Sequence, residues 1–262
     1  MIPKNAITYW RSIVPWQTPE QVEQDLIICK ALVEIYKDAF LSKHLAFRGG
    51  TALHKLYLSP QPRYSEDIDL VQIKAEPIKE TIDRLREVLS FLGEPYVRQK
   101  RNNNVLIFKV ASEIPPVVPI RLKIEINCKE HFTALGFSEV PFEVDSPWYK
   151  DKANIVTYSL EELIATKLRA LYQRRKGRDL FDLYKCLTKT HLDVEKIIQI
   201  YHQYMNFSEG QSPTQKQFLR NLELKLEDSE FLGDTALLLH PSENYDHQIA
   251  YEKVRIELIE KI

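Results

Sequence analysis

RGGTALHKLYLSPQPRYSEDIDL, Arg48 to Leu70, is the stretch on which the reading of this chain turns. It reads as the end of a strand, a glycine turn, a short helix over Thr51–Tyr57, a loop, and a second strand carrying Asp67 and Asp69. Side chains alternate along a strand, so Asp67 and Asp69 project together while Ile68 and Leu70 turn to the core. Two carboxylates held side by side repel each other unless a cation lies between them. Hard oxygen ligands of this kind suit Mg²⁺, which is held by one or two carboxylates plus substrate phosphates. Gly49 and Gly50 lack a Cβ and let the backbone come close to a ligand. Turn amides that feed a helix N-terminus form an anion site. Thr51 or Ser65 adds a hydroxyl, and Lys55 lies one turn after Thr51 on the same helix face, within reach of a phosphate. Arg48 and Arg63 flank the site, where a structural ion pair is the expected role. The spacing of GGTALHK is not that of a P-loop.

The whole chain bounds these readings. At 262 residues it is one large domain or two ordinary ones, and 44% apolar content is enough for a core. The net charge of −1 provides no global field toward nucleic acid, so any such surface must be local. Cys29, Cys128 and Cys186 are scattered, with no CxxC, which speaks against a zinc site or a disulfide framework and for reduced thiols in the cytoplasm. There is no signal-peptide pattern and no apolar run long enough to cross a membrane.

In chain order, residues 1–18 read as an arm across the core, and Thr18-Pro19-Glu20 as the start of a helix running to Phe40 that covers the sheet. Lys43–Phe47 is a short strand, Pro77–Leu92 a helix, and Tyr96–Arg101 with Val105–Val110 a hairpin about Asn102-Asn103. Ile120–Asn127, IRLKIEIN, alternates strictly and predicts a half-buried strand with Arg121, Lys123, Glu125 and Asn127 on its polar face. Paired beside the Asp67–Asp69 strand, Glu125 completes a carboxylate triad; otherwise it is an exposed acid balanced by Lys123. Val140–Val144 and Ile155–Tyr158 are short strands. From Ser159 the chain turns helical, Ser159-Leu-Glu-Glu162 having capping-box form. Between Leu163 and Arg178 lie six basic residues, Lys167, Arg169, Arg174, Arg175, Lys176 and Arg178, and no acid. Such a run is a solvated face or, beside a metal site, a phosphate or RNA-backbone surface. Residues 193–262 read as helices broken at Glu209-Gly210, Leu232-Gly233 and His240-Pro241. Strands first and helices after make the fold class α+β.

The motifs GGTALxK and R-x-SEDIDL, with the later K-x-x-A from Lys167 and R-D-x-x-D from Arg178, resemble the nucleotidyltransferase superfamily that includes DNA polymerase beta. Within it the chain is most similar to the AbiEii-type toxins of type IV toxin–antitoxin and abortive-infection systems, over about Lys43–Tyr184. The resemblance implies a mixed-sheet nucleotidyltransferase core over 1–158 with an N-terminal covering helix, and a C-terminal helical bundle over 159–262 that closes the active-site cleft. It implies Mg²⁺ on Asp67 and Asp69, with a third acid on a neighbouring strand, for which Glu125 is the candidate. To the residue reading that gives Gly49, Gly50, Thr51, Lys55 and Ser65 to the nucleotide, it adds Lys167 on the phosphates and Asp179 or Asp182 in the active site. The expected activity is transfer of NMP from an NTP to RNA, the tRNA 3′ end, blocking translation, with a cognate antitoxin as partner. The alternatives are a protein or a small hydroxylated acceptor, and a nucleotide-binding partner protein without activity.

Overall fold

The computed structural model describes residues 2–14, 16–100 and 102–262. Met1, Pro15 of the expected arm, and Arg101, the expected end of a strand, lie outside the described residues. The chain divides into two compact units, Met1–Tyr158 and Ser159–Ile262.

The first unit runs α1 (Lys4–Ile13), α2 (Pro19–Lys37), α3 (Leu41–His44), β1 (Leu45–Arg48) and α4 (Gly49–Ala52), which continues as a π-helical turn over Leu53–Tyr57. Then come β2 (Asp67–Gln72), α5 (Lys79–Val88), β3 (Tyr96–Lys100), β4 (Asn103–Ala111), β5 (Pro119–Asn127), β6 (Phe137–Asp145) and β7 (Lys150–Tyr158). Among the described residues the strands form one seven-stranded mixed sheet in the order β3-β4-β5-β2-β1-β7-β6. β2 lies antiparallel to β1 and parallel to β5, so the Asp-bearing strand is interior to the sheet.

α2 starts where the sequence places it. Thr18 Oγ accepts from Gln21 N, the Gln21 side chain returns to Thr18 N, and Pro19 occupies the first turn, where it has no amide to waste. The helix is buried nearly all round because it contacts β5, β6 and β7 and also α1. Each buried Leu or Ile in such a layer contributes roughly 1.5–3 kcal/mol. The N-terminal arm is in fact the helix α1, whose Ala6, Ile7 and Trp10 are buried at helical spacing. The strand expected from Lys43 begins only at Leu45, because the Asp38 carboxylate accepts from Phe40 N and Leu41 N and holds Leu41–His44 in a helical turn. β6 and β7 are nine residues each rather than short. Their partly exposed faces carry Glu139, Glu143, Lys152 and Asn154, which hides the apolar alternation.

The second unit runs α6 (Leu160–Gln173), α7 (Gly177–Lys189), α8 (Val194–Glu209), α9 (Gln215–Leu226), α10 (Ser229–Gly233) and α11 (His247–Glu257), ending in a 3₁₀ turn, Ile259–Lys261. The α+β class with a mixed sheet followed by helices is what the structure has. Ser159 caps α6 through Glu162 N at 3.3 Å. The Glu162 side chain is buried and accepts from Tyr204 OH of α8 at 2.7 Å, a tertiary contact where a capping box was expected. Gly177 opens α7 at a point where a Cβ would collide with the Phe231 carbonyl of α10. Cys29, Cys128 and Cys186 are free thiols. Among the described residues no helix is long and apolar enough to cross a membrane.

The last turn of α6 has carbonyls without intrahelical partners, and Lys225 of α9 supplies the donor. Its buried ammonium donates to Leu171 O and, at 2.8 Å, to Tyr172 O. Burial lowers the Lys225 pKa from 10.5 to about 8. The native state therefore releases this proton before the unfolded state does. Below about pH 8 both states are protonated and the burial cost is carried in full; between about 8 and 10.5 the unfolded state holds more protons and stability rises with pH. The difference between wild type and Lys225→Met in urea unfolding should grow in favour of wild type across that window. A difference independent of pH would contradict it.

Candidate active site

The register of β2 and β5 builds the site. Asp67 lies opposite Lys123 and Asp69 opposite Glu125. Directly opposed residues share a face, so all four side chains rise from the sheet together. The other face of the two strands, Ile68, Leu70, Ile124 and Ile126, is buried in the core. That burial fixes the register, since a slip of one residue would exchange the faces.

The Lys123 ammonium stands 2.8 Å from Asp67 Oδ2 and 3.1 Å from Glu125 Oε2. Glu125 Oε1 accepts from Asn103 Nδ2 of β4. Burial pushes the Glu125 carboxyl up, but Asn103 and Lys123 outweigh it and hold the net value below the ordinary one. Asp69 goes the other way. Burial raises it first, then the charges of Asp67 and Glu125, and the more distant Lys123 and Arg48 do not compensate. Asp69 is thus the carboxylate with an unmet demand for positive charge.

The glycine turn closes over that carboxylate. Gly49 has φ +77°, and a Cβ on it would collide with Asp69 Oδ2. Glycine is required here both for its dihedral and for its emptiness. Behind the turn, Thr51 Oγ1 donates to Asp67 O. That hydroxyl has a single proton, so in the 2.6 Å contact between Thr51 Oγ1 and Ser65 Oγ it is Ser65 that donates. Thr51 and Ser65, both buried, latch the helix to the start of β2. Beside Asp67 opens a cavity of about 360 Å³, lined by Glu20, Gln24, Glu66, Asp67, Arg121 and Lys123 among others.

One expectation changes here. Lys55 does not reach for a phosphate: its ammonium is buried and donates to Asp25 Oδ2 at 2.6 Å. Asp25, itself fully buried, also accepts from the indoles of Trp10 at 2.9 Å and Trp16 at 3.1 Å. The π-helical turn carries Lys55 inward onto α2, which helical spacing from Thr51 did not reveal. Asp25→Ala, which strands this buried ammonium, should cost about 3–5 kcal/mol in chemical unfolding. Arg48, as expected, makes a structural ion pair, with Glu130 at 2.6 Å. Arg63 is buried and donates to Tyr64 O at 2.8 Å.

Lys167, Asp179 and Asp182 meet within the helical unit. The Lys167 ammonium on α6 is buried and stands 3.0 Å from both Asp179 Oδ1 and Asp182 Oδ2 on α7. Arg174 clamps Asp179 with Nε at 2.6 Å and Nη2 at 2.7 Å. Burial raises the Asp179 carboxyl, but Lys167 and Arg174 overcome it and leave it below the ordinary value. The basic run is not an unpaired cationic face. Arg175 pairs with Asp228, Lys176 and Arg178 with Asp234, and Arg169 is buried against the Tyr204 ring.

Sequence reasoning overlooked Lys123 as a member of the site, although its place two residues before Glu125 on an alternating strand was the signal. Asn103 gave none, since its partner Glu125 is set by the pairing of β4 with β5, and Arg174 was read only as part of the basic run, without its bond to Asp179.

The sequence profile of the family described as nucleotidyl transferase AbiEii toxin, type IV TA system, matches residues 30–252. The chain belongs to the AbiEii family. Among solved structures, this AbiEii protein is similar to the nucleotidyltransferase toxin MenT4 from Mycobacterium tuberculosis, with a TM-score of 0.67 and 14% identity over 98% of this chain and 90% of that one. It is also similar to JHP933 from Helicobacter pylori, with a TM-score of 0.56 and 17% identity over 93% of each chain. At such identities these likenesses establish the fold. No curated protein sequence matches the chain. AbiEii membership makes the protein a nucleotidyltransferase and the toxin of a type IV toxin–antitoxin system, which implies an NTP substrate and a cognate antitoxin.

Among the described residues no three His, Cys, Asp or Glu side chains gather closely enough to hold a metal. The residues nonetheless fit a divalent ion bound by two carboxylates and completed by substrate phosphates. The Lys123 ammonium already serves Asp67 as a cation, and the Asp69 carboxyl is raised by burial first and then by its acidic neighbours.

Proposed function

We propose that this toxin transfers NMP from an NTP to an RNA acceptor, the 3′ end of tRNA, and so blocks translation. The observation that supports this most is the Asp67–Asp69 pair on β2 with Gly49 fitted against Asp69. Asp67 and Asp69 would hold Mg²⁺, which when bound neutralises charge on the phosphoryl oxygens. The acceptor hydroxyl oxygen forms a bond to the α-phosphorus as the bond from that phosphorus to pyrophosphate breaks. The hydroxyl proton passes to a base, and pyrophosphate leaves. Positioning and electrostatics account for most catalysis of this kind.

Gly49 and Gly50 are assigned to the triphosphate through the backbone. Thr51 and Ser65 are assigned to hold the turn in place. Lys167 is assigned to the nucleotide's charge, and reaching a phosphate requires its buried ammonium to leave Asp179 and Asp182, a cost that the bound triphosphate must offset. The ionised Asp179, with Asp182 beside it on Lys167, suits orienting a group better than taking its proton. RNA contact falls to Arg174, Arg175 and Lys176, whose side chains are at least half exposed. The Arg175–Asp228 pair is exposed enough to be worth at most about 1 kcal/mol, so a polyanion can replace Asp228 there, whereas Arg174 and Lys176 hold buried aspartates and would meet RNA with their exposed sides.

The internal pairing of the basic run also favours a second reading, in which the acceptor is a protein hydroxyl or a small hydroxylated molecule. One assay separates them. The protein is incubated with total bacterial RNA, Mg²⁺ and each α-³²P-labelled NTP, beside Asp67→Ala/Asp69→Ala. Label on a tRNA-sized band that the double variant does not produce is the expected result. Label on protein, or none on any macromolecule, would overturn the RNA acceptor.

A further inference from the structure

We propose that Lys123 is the resident counter-cation of the carboxylate site and competes directly with the divalent metal for Asp67. The inference rests on the reading that Asp67 and Asp69 hold that metal.

The sheet itself delivers the competitor. The parallel register of β2 and β5 sets Lys123 opposite Asp67, and strand alternation sets Glu125 on the same face two residues on. The ammonium bridges Asp67 Oδ2 at 2.8 Å and Glu125 Oε2 at 3.1 Å. Its side chain is 28% exposed, too enclosed for water to screen the charge fully. A metal ion on Asp67 would sit about 2.0–2.1 Å from the carboxylate oxygen. An ammonium hydrogen-bonded to that oxygen would then face a dication across a few ångströms, a strong repulsion in a half-buried setting. The two cations are alternatives.

Lys123 also has somewhere to go. It lines the cavity beside Asp67 together with Glu20 and Glu66, the carboxylates toward which a displaced ammonium would turn. The metal-free protein therefore keeps its own lysine bridging Asp67 and Glu125, offsetting one of their two charges, and metal entry is coupled to turning that lysine out. Metal affinity is set below what the aspartate pair alone would have. Lys123 acts through Asp67 and is a positioning residue in this scheme.

The test is Mn²⁺ binding without nucleotide, followed by the electron paramagnetic resonance signal of free Mn²⁺, with circular dichroism confirming each fold. Lys123→Met keeps most of the length and removes the charge, and Lys123→Gln stands in if it folds poorly. Either should bind Mn²⁺ at least about tenfold more tightly than wild type, a difference of one decade in Kd. Lys123→Arg, which keeps the charge, should stay within about threefold of wild type. If wild type binds Mn²⁺, Asp67→Ala/Asp69→Ala does not, and Lys123→Met binds no more tightly, the metal reading stands and the role of Lys123 falls. Tightening by Lys123→Arg equal to that by Lys123→Met would also overturn it, because charge would not be the cause. Absence of binding in wild type and Lys123→Met alike would overturn both.

Discussion

Asp69→Asn is expected to lower NMP transfer by about a thousandfold or more and, at the same time, to raise the melting temperature of the metal-free protein. The activity loss follows from removing a carboxylate that, in the proposed function, holds the metal and contributes several kcal/mol to the transition state. The gain in stability follows from the setting of Asp69. Its folded pKa lies above the ordinary value of 3.8 because of burial first, then Asp67 and Glu125. The native state thus binds this proton more tightly than the unfolded chain does. As pH rises from 3.8 through the higher folded value, the native state loses stability relative to the unfolded state. Above that window the cost of the charge is carried in full. Asparagine keeps the shape and does not titrate. Differential scanning fluorimetry in EDTA from pH 4 to 7.5 should show a variant whose advantage grows with pH. An Asp69→Asn protein less stable than wild type at neutral pH would show that a compensating cation is already built in for Asp69.

Gly49→Ala separates backbone strain from site geometry when set beside Gly93→Ala. The two glycines have nearly the same dihedral, φ +77° and +80°. An alanine at either position is strained by about 1–3 kcal/mol. They differ in what a Cβ meets: the Asp69 carboxylate at Gly49, nothing within 4 Å at Gly93. Gly93→Ala should therefore lose stability and keep transfer activity. Gly49→Ala should lose both, with activity falling at least about a hundredfold because the displaced carboxylate no longer holds its geometry. Equal activity in the two variants would mean that the turn can give way without moving Asp69, and that the fit of Gly49 against it is incidental.

The legible parts of this protein are local ones. Period-two alternation in DIDL and IRLKIEIN reveals which residues share a face, because a strand leaves no other choice. Thr18-Pro19 and Ser159 mark helix starts because their hydroxyls satisfy amides a few residues away. The glycine pair and the aspartates suggest an anion and cation site by chemistry alone, and the structure brings Gly49 against Asp69. Where a reading went astray, the deciding partner was distant in sequence. Glu162 follows the capping-box spacing, yet Tyr204 takes its carboxylate. Lys55 has the right spacing from Thr51, yet Asp25 and a π-helical turn draw it inward. The basic run from Lys167 to Arg178 looks uncompensated along the chain, and Asp228 and Asp234, some fifty residues on, compensate it.

By itself the sequence determined the α+β order, the helix caps, the paired faces of Asp67–Asp69 and Lys123–Glu125, and membership in a toxin family, since each depends on residues within a few positions or on motif spacing. Only the tertiary structure decided that β2 and β5 run parallel in a register that sets Lys123 on Asp67 and Glu125 beside Asp69. Only it decided that Gly49 leaves room for the Asp69 carboxylate, and that Lys167 spans Asp179 and Asp182. Those relations are electrostatic and steric contacts between segments that the chain itself keeps far apart, and burial of the opposite faces, rather than any local preference, holds them in place.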